Sequence, residues 1–372
     1  MTYRCILVMA AMLLFHSCVS NEFPDGGDEE RIPLTFRVAT LADISAGARG
    51  TSSDASSHAL GLGVGVFVVS GEQYDDVKNG VFGKTYSYGH ENVKYTYDGG
   101  SGVLQRSEEG EQIYCLSSRS FAVFAYAPYE EGMTLEKLLT GKDGVSVSQD
   151  QSSEESVQAS DFMLGTPSGS NPLLVSGADV VGSSVVNLDF RHQRSRLVME
   201  MTPDWIYSAL GGDVDLPISS LSLSSLKVFA TNVPTGLQAG GNGGCYSLSA
   251  DMNNLAYGGT ADNGEILMAA FSNVSITKNS ETFSMNIVGN AVDKLTSTAI
   301  VFPFSFSQGH ELFRIEYSVV DAGSLITDPL TVLLKAKSAS TVGMGKSIVF
   351  RVGQSQSDNF IIESTGSTSP AI

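Results

Sequence analysis

The sequence predicts an all-β protein, built as two tandem β-sandwich domains with a few short helices. Apolar residues recur with period two in most hydrophobic segments, which places one face of each segment on a core and the other outside. Glycine, serine and aspartate cluster between those segments as turn and loop signals. Strands and helices do not alternate along the chain, which argues against a parallel α/β sheet and leaves sandwiches.

The first 30 residues stand outside that fold. Arg4 precedes an apolar run from Cys5 to Phe15. That run is shorter than the roughly 20 residues needed to span a bilayer and has the length of a signal-peptide core. It ends in Phe15-His16-Ser17-Cys18, which resembles a bacterial lipobox in placing a small residue before a cysteine. Residues 1–17 are expected to be removed as a lipoprotein signal peptide, leaving Cys18 acylated. Residues 18–30 are acidic and turn-rich, notably from Asn21 to Glu30, and too polar to bury a core. They read as a solvated spacer or as a surface-export tag behind the lipid.

In the first mature strand Ile32, Leu34, Phe36 and Val38 alternate with Pro33, Thr35, Arg37 and Ala39. Pro33 fits an edge position, where a missing amide hydrogen costs least. A small-residue loop from Ala46 to Asp54 follows and carries the Arg49-Gly50 bond, which taken alone is an exposed loop arginine. Leu62, Val64, Val66 and Val68 form the second strand, interleaved with Gly61, Gly63 and Gly65. Alternating glycines within a strand suit close packing better than a nucleotide cradle. Tyr95 and Tyr97 lead into the turn Asp98-Gly99-Gly100-Ser101-Gly102, a hairpin signal.

Further strands are predicted over 120–126, 185–190, 197–201, 221–230, 313–319, 330–334 and 348–352. One short helix is expected between Thr134 as N-cap and Gly141 as terminator, and another from Asp204 to Leu210 around Trp205, the only tryptophan. The polar stretches Ser146 to Ser160 and Asp251 to Gly264 read as exposed, mobile loops. A boundary near His192 to Ser195 gives an N-terminal domain over 31–193 and a C-terminal domain over 194–372.

Charge and side-chain chemistry narrow the function. With 22 basic against 40 acidic residues, the formal net charge is −18 and no basic block offsets it. That argues against nucleic acid and against broad contact with anionic lipid. Beyond Cys5 and Cys18 only Cys115 and Cys245 remain, so one bridge or two buried thiols are the alternatives. His16, His58, His90, His192 and His310 form no ligand pair, and no metal or cofactor is expected. His192, at the domain boundary, reads as a hydrogen-bonded structural histidine. No nucleophile elbow and no phosphate-binding glycine loop appears, so an enzyme is not expected.

Several segments, taken in order, resemble the fimbrillin family, two-domain lipoproteins that build or decorate type V pili of Gram-negative anaerobes. They are Arg31 to Ala39, Leu62 to Val69, Ile113-Tyr114-Cys115 leading into Phe121 to Tyr129, Asp161 to Gly165, Val185 to Met201 with His192, Ala299 to Pro303, and Gly345 to Phe350. The resemblance implies transthyretin-like, Greek-key sandwiches and assembly by β-strand complementation. In stalk subunits of the family an Arg-specific protease opens the loop after the first strand. That implies cleavage at Arg49-Gly50, with Ile32, Leu34, Phe36 and Val38 as the plug that leaves.

The chain departs from the family at two places. Tyr114-Cys115-Leu116 stands where a Tyr-Trp-Pro is common, and the end, Phe360 to Ser364 with a short polar tail to Ile372, does not resemble a full donor segment. A tip or accessory role is therefore expected in preference to a stalk role. The implied partners are other fimbrial subunits, host or bacterial surface proteins or glycans, and the outer membrane through the lipid. The alternative is a surface glycan-binding lipoprotein of a nutrient-uptake system, which would present exposed aromatics as a platform. Trp205, in an expected helix, is a poor candidate for one.

Overall fold

The computed structural model describes residues 30–41, 45–47, 59–82, 91–107, 112–169, 174–211, 218–240, 244–249, 254–321, 324–325, 329–352 and 360–365. Within them the chain is mostly strand, as the period-two alternation predicts. No helix among the described residues is long and apolar enough to cross a membrane.

The first half contributes β1 (Arg31–Pro33), β2 (Thr35–Leu41), β3 (Ser45–Gly47), β4 (Val64–Ser70), β5 (Val93–Tyr97) and β6 (Val103–Arg106). It continues with β7 (Tyr114–Leu116), β8 (Ser120–Ala127), β9 (Val145–Ser146), β10 (Met163–Pro167), β11 (Leu174–Ser176) and β12 (Val185–His192). The main sheet runs β10-β12-β2-β6-β5-β4-β8-β11. Because β10 also pairs with β8, the path closes on itself around a core that includes Phe36, Val66, Tyr95, Val123 and Phe190. At the β5–β6 hairpin Asp98 accepts from Gly100 N and Ser101 Oγ, and Gly102 supplies the positive φ of 70°.

β4 and β8 depart from the simple alternation, since β4 is buried at every position and β8 at all but the first. Their outer faces are covered too. Phe67, Val69, Phe124 and Tyr126 pack under the helices Gly71–Lys78 and Leu135–Thr140. The second of these is the helix expected between Thr134 and Gly141: Thr134 Oγ1 accepts from Lys137 N, and Gly141 ends it in the left-handed conformation. Gly65 is required by close approach, because a Cβ there would stand 2.1 Å from the Tyr126 ring.

The second half contributes β13 (Ser195–Met201), β14 (Ile218–Gln238), β15 (Tyr246–Leu248), β16 (Leu255–Tyr257), β17 (Thr260–Asn279), β18 (Thr282–Ile287), β19 (Asn290–Val292) and β20 (Leu295–Val301). It ends with β21 (Phe304–Phe306), β22 (Glu311–Asp321), β23 (Ser324–Leu325), β24 (Leu330–Ala336), β25 (Ser340–Val342), β26 (Lys346–Val352) and β27 (Phe360–Thr365). One sheet runs β19-β18-β17-β14-β22-β24-β27 and the other β20-β13-β26-β3. They share a core that joins Leu226, Val228 and Phe313 to Leu197, Met199 and Phe350.

Two expected loops carry regular secondary structure among their described residues. Within Ser146 to Ser160, β9 pairs with β14 at Gly236 and Leu237, and a helix runs Glu154–Ser160 behind its cap Ser153. The polar composition hid two anchors: Val147 is buried, and the Gln151 side chain exchanges two hydrogen bonds with the Ile300 main chain, Gln151 Nε2 donating to Ile300 O at 3.0 Å and Ile300 N donating to Gln151 Oε1 at 2.7 Å. Within the described part of Asp251 to Gly264 lie β16 and the start of β17, whose first residues are exposed and therefore polar. β3 and β9, both from the first half, pair with strands of the second. Strand pairing thus crosses the boundary near residue 193.

Candidate strand-exchange site

The sequence places Ile32, Leu34, Phe36 and Val38 on one face, and the structure sends that face inward. Ile32, Leu34 and Phe36 are buried and Val38 is half-buried, while Arg31, Pro33, Thr35, Arg37 and Ala39 are exposed. The Phe36 ring meets the Tyr95 ring edge-on, with centroids 5.5 Å apart. Full burial of the first three side chains contributes about 5 to 9 kcal/mol in all. That is comparable to the roughly 5 to 15 kcal/mol of a whole domain.

The segment changes partners at Leu34. Before it, β1 pairs antiparallel with β7, matching Ile32 to Cys115 and Pro33 to Tyr114. After it, β2 lies between β12, in parallel from Val185 to Phe190, and β6, antiparallel at Phe36–Leu104 and Arg37–Val103. Leu34 N donates to Ile113 O at 2.8 Å, and Gln112 Nε2 donates to Leu34 O at 2.9 Å, so the break leaves neither group unpaired. Pro33 lies in the ladder that has one neighbour, as an edge proline should. Beyond it the strand is interior, paired with β12 along its length and with β6 at Phe36 and Arg37.

β3 then pairs in parallel with β26, Ser45 to Lys346 and Gly47 to Ile348. Its last residue is two positions before Arg49. Arg49, Gly50 and Cys18 lie outside the described residues, as does the signal segment.

Cys115 and Cys245 are both free and buried, which resolves the two alternatives left by the sequence. Burial pushes the Cys115 thiol up to about 11, and burial raises Cys245 as well. His192 is buried with Nδ1 2.8 Å from Asp161 Oδ1, the structural role expected of it. Trp205 sits in the helix Pro203–Ala209 at 4% exposure and offers no platform.

Sequence reasoning missed Arg194. Its guanidinium lies between the rings of Phe162 and Phe302, 5.8 and 5.0 Å from their centroids. It donates to Ser160 O at 2.5 Å and Ser146 O at 3.2 Å. Next to it, Gln193 Oε1 accepts from Leu255 N and its carbonyl accepts from the Tyr257 hydroxyl. Desolvation lowers the proton affinity of Arg194, and the ring faces and carbonyl oxygens offset that cost. Its one visible signal was its position between two adjoining strands.

The chain is similar to several solved structures at low sequence identity. A candidate cell adhesion protein from Bacteroides ovatus ATCC 8483 is similar at 16% identity and a TM-score of 0.47, over 91% of this chain and 97% of that one. A candidate cell adhesion protein from Bacteroides uniformis ATCC 8492 gives 15% and 0.43, over 90% and 96%. The fimbrial anchor protein Mfa2 from Porphyromonas gingivalis gives 9% and 0.25, over 82% and 78%. No curated protein matches the sequence. The fimbrillin-like family profile matches residues 55–365, most of the chain, and the protein belongs to that family.

Proposed function

We propose that the chain is a fimbrial subunit or fimbria-associated adhesin, lipid-anchored at Cys18 to the outer membrane, that assembles with other fimbrial subunits by β-strand complementation. Family membership supports a fimbrial subunit at the cell surface. The observation that carries the mechanism is the seat of β2, an apolar strand held between two neighbours at the start of the fold. Cleavage after Arg49 would release β1, β2 and β3 together with the lipid on Cys18, so the anchor holds the chain before cleavage. A slot bounded by β12 and β6 would remain, with unpaired main-chain groups along it and apolar pockets for alternate side chains. A tip or accessory position is supported by β27, which pairs with β24 in its own sheet.

Limited digestion with an Arg-specific protease tests this reading. The expected result is conversion of monomer into a form that oligomerises or binds a donor-strand peptide, with Arg49→Ala resistant. Cleaved protein that neither binds any donor strand nor loses stability would make β2 no plug and favour an uncleaved accessory or anchor role.

A further inference from the structure

A cleft of about 730 Å³ opens beside Arg194. That is within the roughly 300 to 1,000 Å³ of small-molecule sites. Both halves of the chain line it, with Asp143 and Phe162 on one side and Gln238, Tyr246, Tyr257 and Asp262 on the other.

Its charges select among ligand classes. Three carboxylates, Glu130, Asp143 and Asp262, meet two cations, Lys137 and Arg194. Lys137 is held by Glu130 at 2.5 Å. An anion would face the remaining acidic groups. A cation would find the faces of Phe162 and Phe302 already filled by Arg194. What remains suits groups that both donate and accept. Asp143 and Asp262 are exposed acceptors, and Gln238 Nε2, 2.9 and 3.0 Å from the two Asp262 oxygens, orients that carboxylate. Tyr246 and Tyr257, edge to face at 5.8 Å, add rigid apolar surface with polar tips. Arg194 Nε is buried without a hydrogen-bond partner, a donor that a small shift of the guanidinium toward a bound oxygen would satisfy.

We propose that this cleft binds a short neutral saccharide, whose hydroxyls meet Asp143, Asp262 and Arg194 and whose C–H faces meet the tyrosines. The proposal gives the adhesin reading its ligand class and rests on it. Since the first strand does not line the cleft, the binding test and the strand-release test fail separately.

Isothermal titration calorimetry on the full mature chain tests it, with maltotriose, cellotriose and N-acetyllactosamine as neutral probes and sialyllactose, glucuronate and glucosamine as charged ones. At least one neutral probe should bind. Asp143→Asn and Asp262→Asn should each weaken that binding about tenfold, or about 1.4 kcal/mol. Both side chains are exposed, so melting temperatures should not change. The proposal is overturned if no neutral probe binds at millimolar concentration, if only charged probes bind, or if neither substitution alters the affinity.

Discussion

Two strands near the ends of the described fold, β2 and β27, are built into it in opposite ways. β2 has a neighbour on each side and turns Phe36 into the core, whereas β27 pairs with β24 alone and ends its sheet. Removing an edge strand leaves a new edge. Removing an interior strand leaves a slot with two open ladders and an exposed core, and at a domain stability of roughly 5 to 15 kcal/mol that slot must be refilled or the half unfolds. An exchangeable element that drives assembly therefore has more to gain at β2 than at β27.

The largest effect that separates the two strands should come from Phe36→Ala. The ring is fully buried against Tyr95, and its loss should cost about 3 to 5 kcal/mol in a denaturant titration. Val38→Ala, on a half-buried position of the same strand, should cost distinctly less. A loss under about 1 kcal/mol for Phe36→Ala would mean that β2 adds little to its core.

Cys115 gives a chemical readout of the same strand. Its residue pairs with Ile32 of β1, so departure of the first strand uncovers its ladder. After cleavage and release, iodoacetamide should label Cys115, located by peptide mass spectrometry. Cys245, whose thiol donates to Leu237 O at 3.1 Å away from that strand, should stay protected. Labelling of both thiols together would indicate global unfolding in place of strand release. The pH dependence has a definite sign. The folded state holds the Cys115 proton up to about 11. An unfolded thiol ionises near 8.5. The stability that this group contributes is whole below the unfolded value and is lost as pH rises through the folded one. Cys115→Ala should flatten that decline.

The strands were legible where one face is wet. Ile32 to Val38 alternates in sequence and in burial alike, and the hairpin at Asp98 to Gly102 announces itself through its turn residues. Alternation misled where helices cover the outer face of a sheet, as over Phe67 and Phe124, because both faces are then apolar. Polar composition misled at Ser146 to Ser160, where one glutamine, Gln151, replaces an apolar anchor by three main-chain hydrogen bonds. Of the exchange site, the apolar face was readable and the two neighbours were not. The parallel partner β12 lies some 150 residues away from β2 in the chain, and local pattern carries no information about such a pairing. Arg194 was invisible for a related reason, since its ring partners Phe162 and Phe302 come from opposite halves.

The smallest effect should come from deleting Gly366 to Ile372. The β24–β27 register runs from Ala336–Phe360 to Thr331–Thr365, so the ladder is finished before the deletion begins. Truncation there removes no pairing from the described sheet, and stability should change by no more than about 0.5 kcal/mol. If β2 is the exchanged element and β27 a fixed edge, incorporation into fimbriae should also be unchanged, which electron microscopy of complemented cells would show. A deletion that preserves the folded monomer but abolishes assembly would reverse the roles. The segment after β27 would then be a donor, and the slot left by β2 its acceptor on the next subunit.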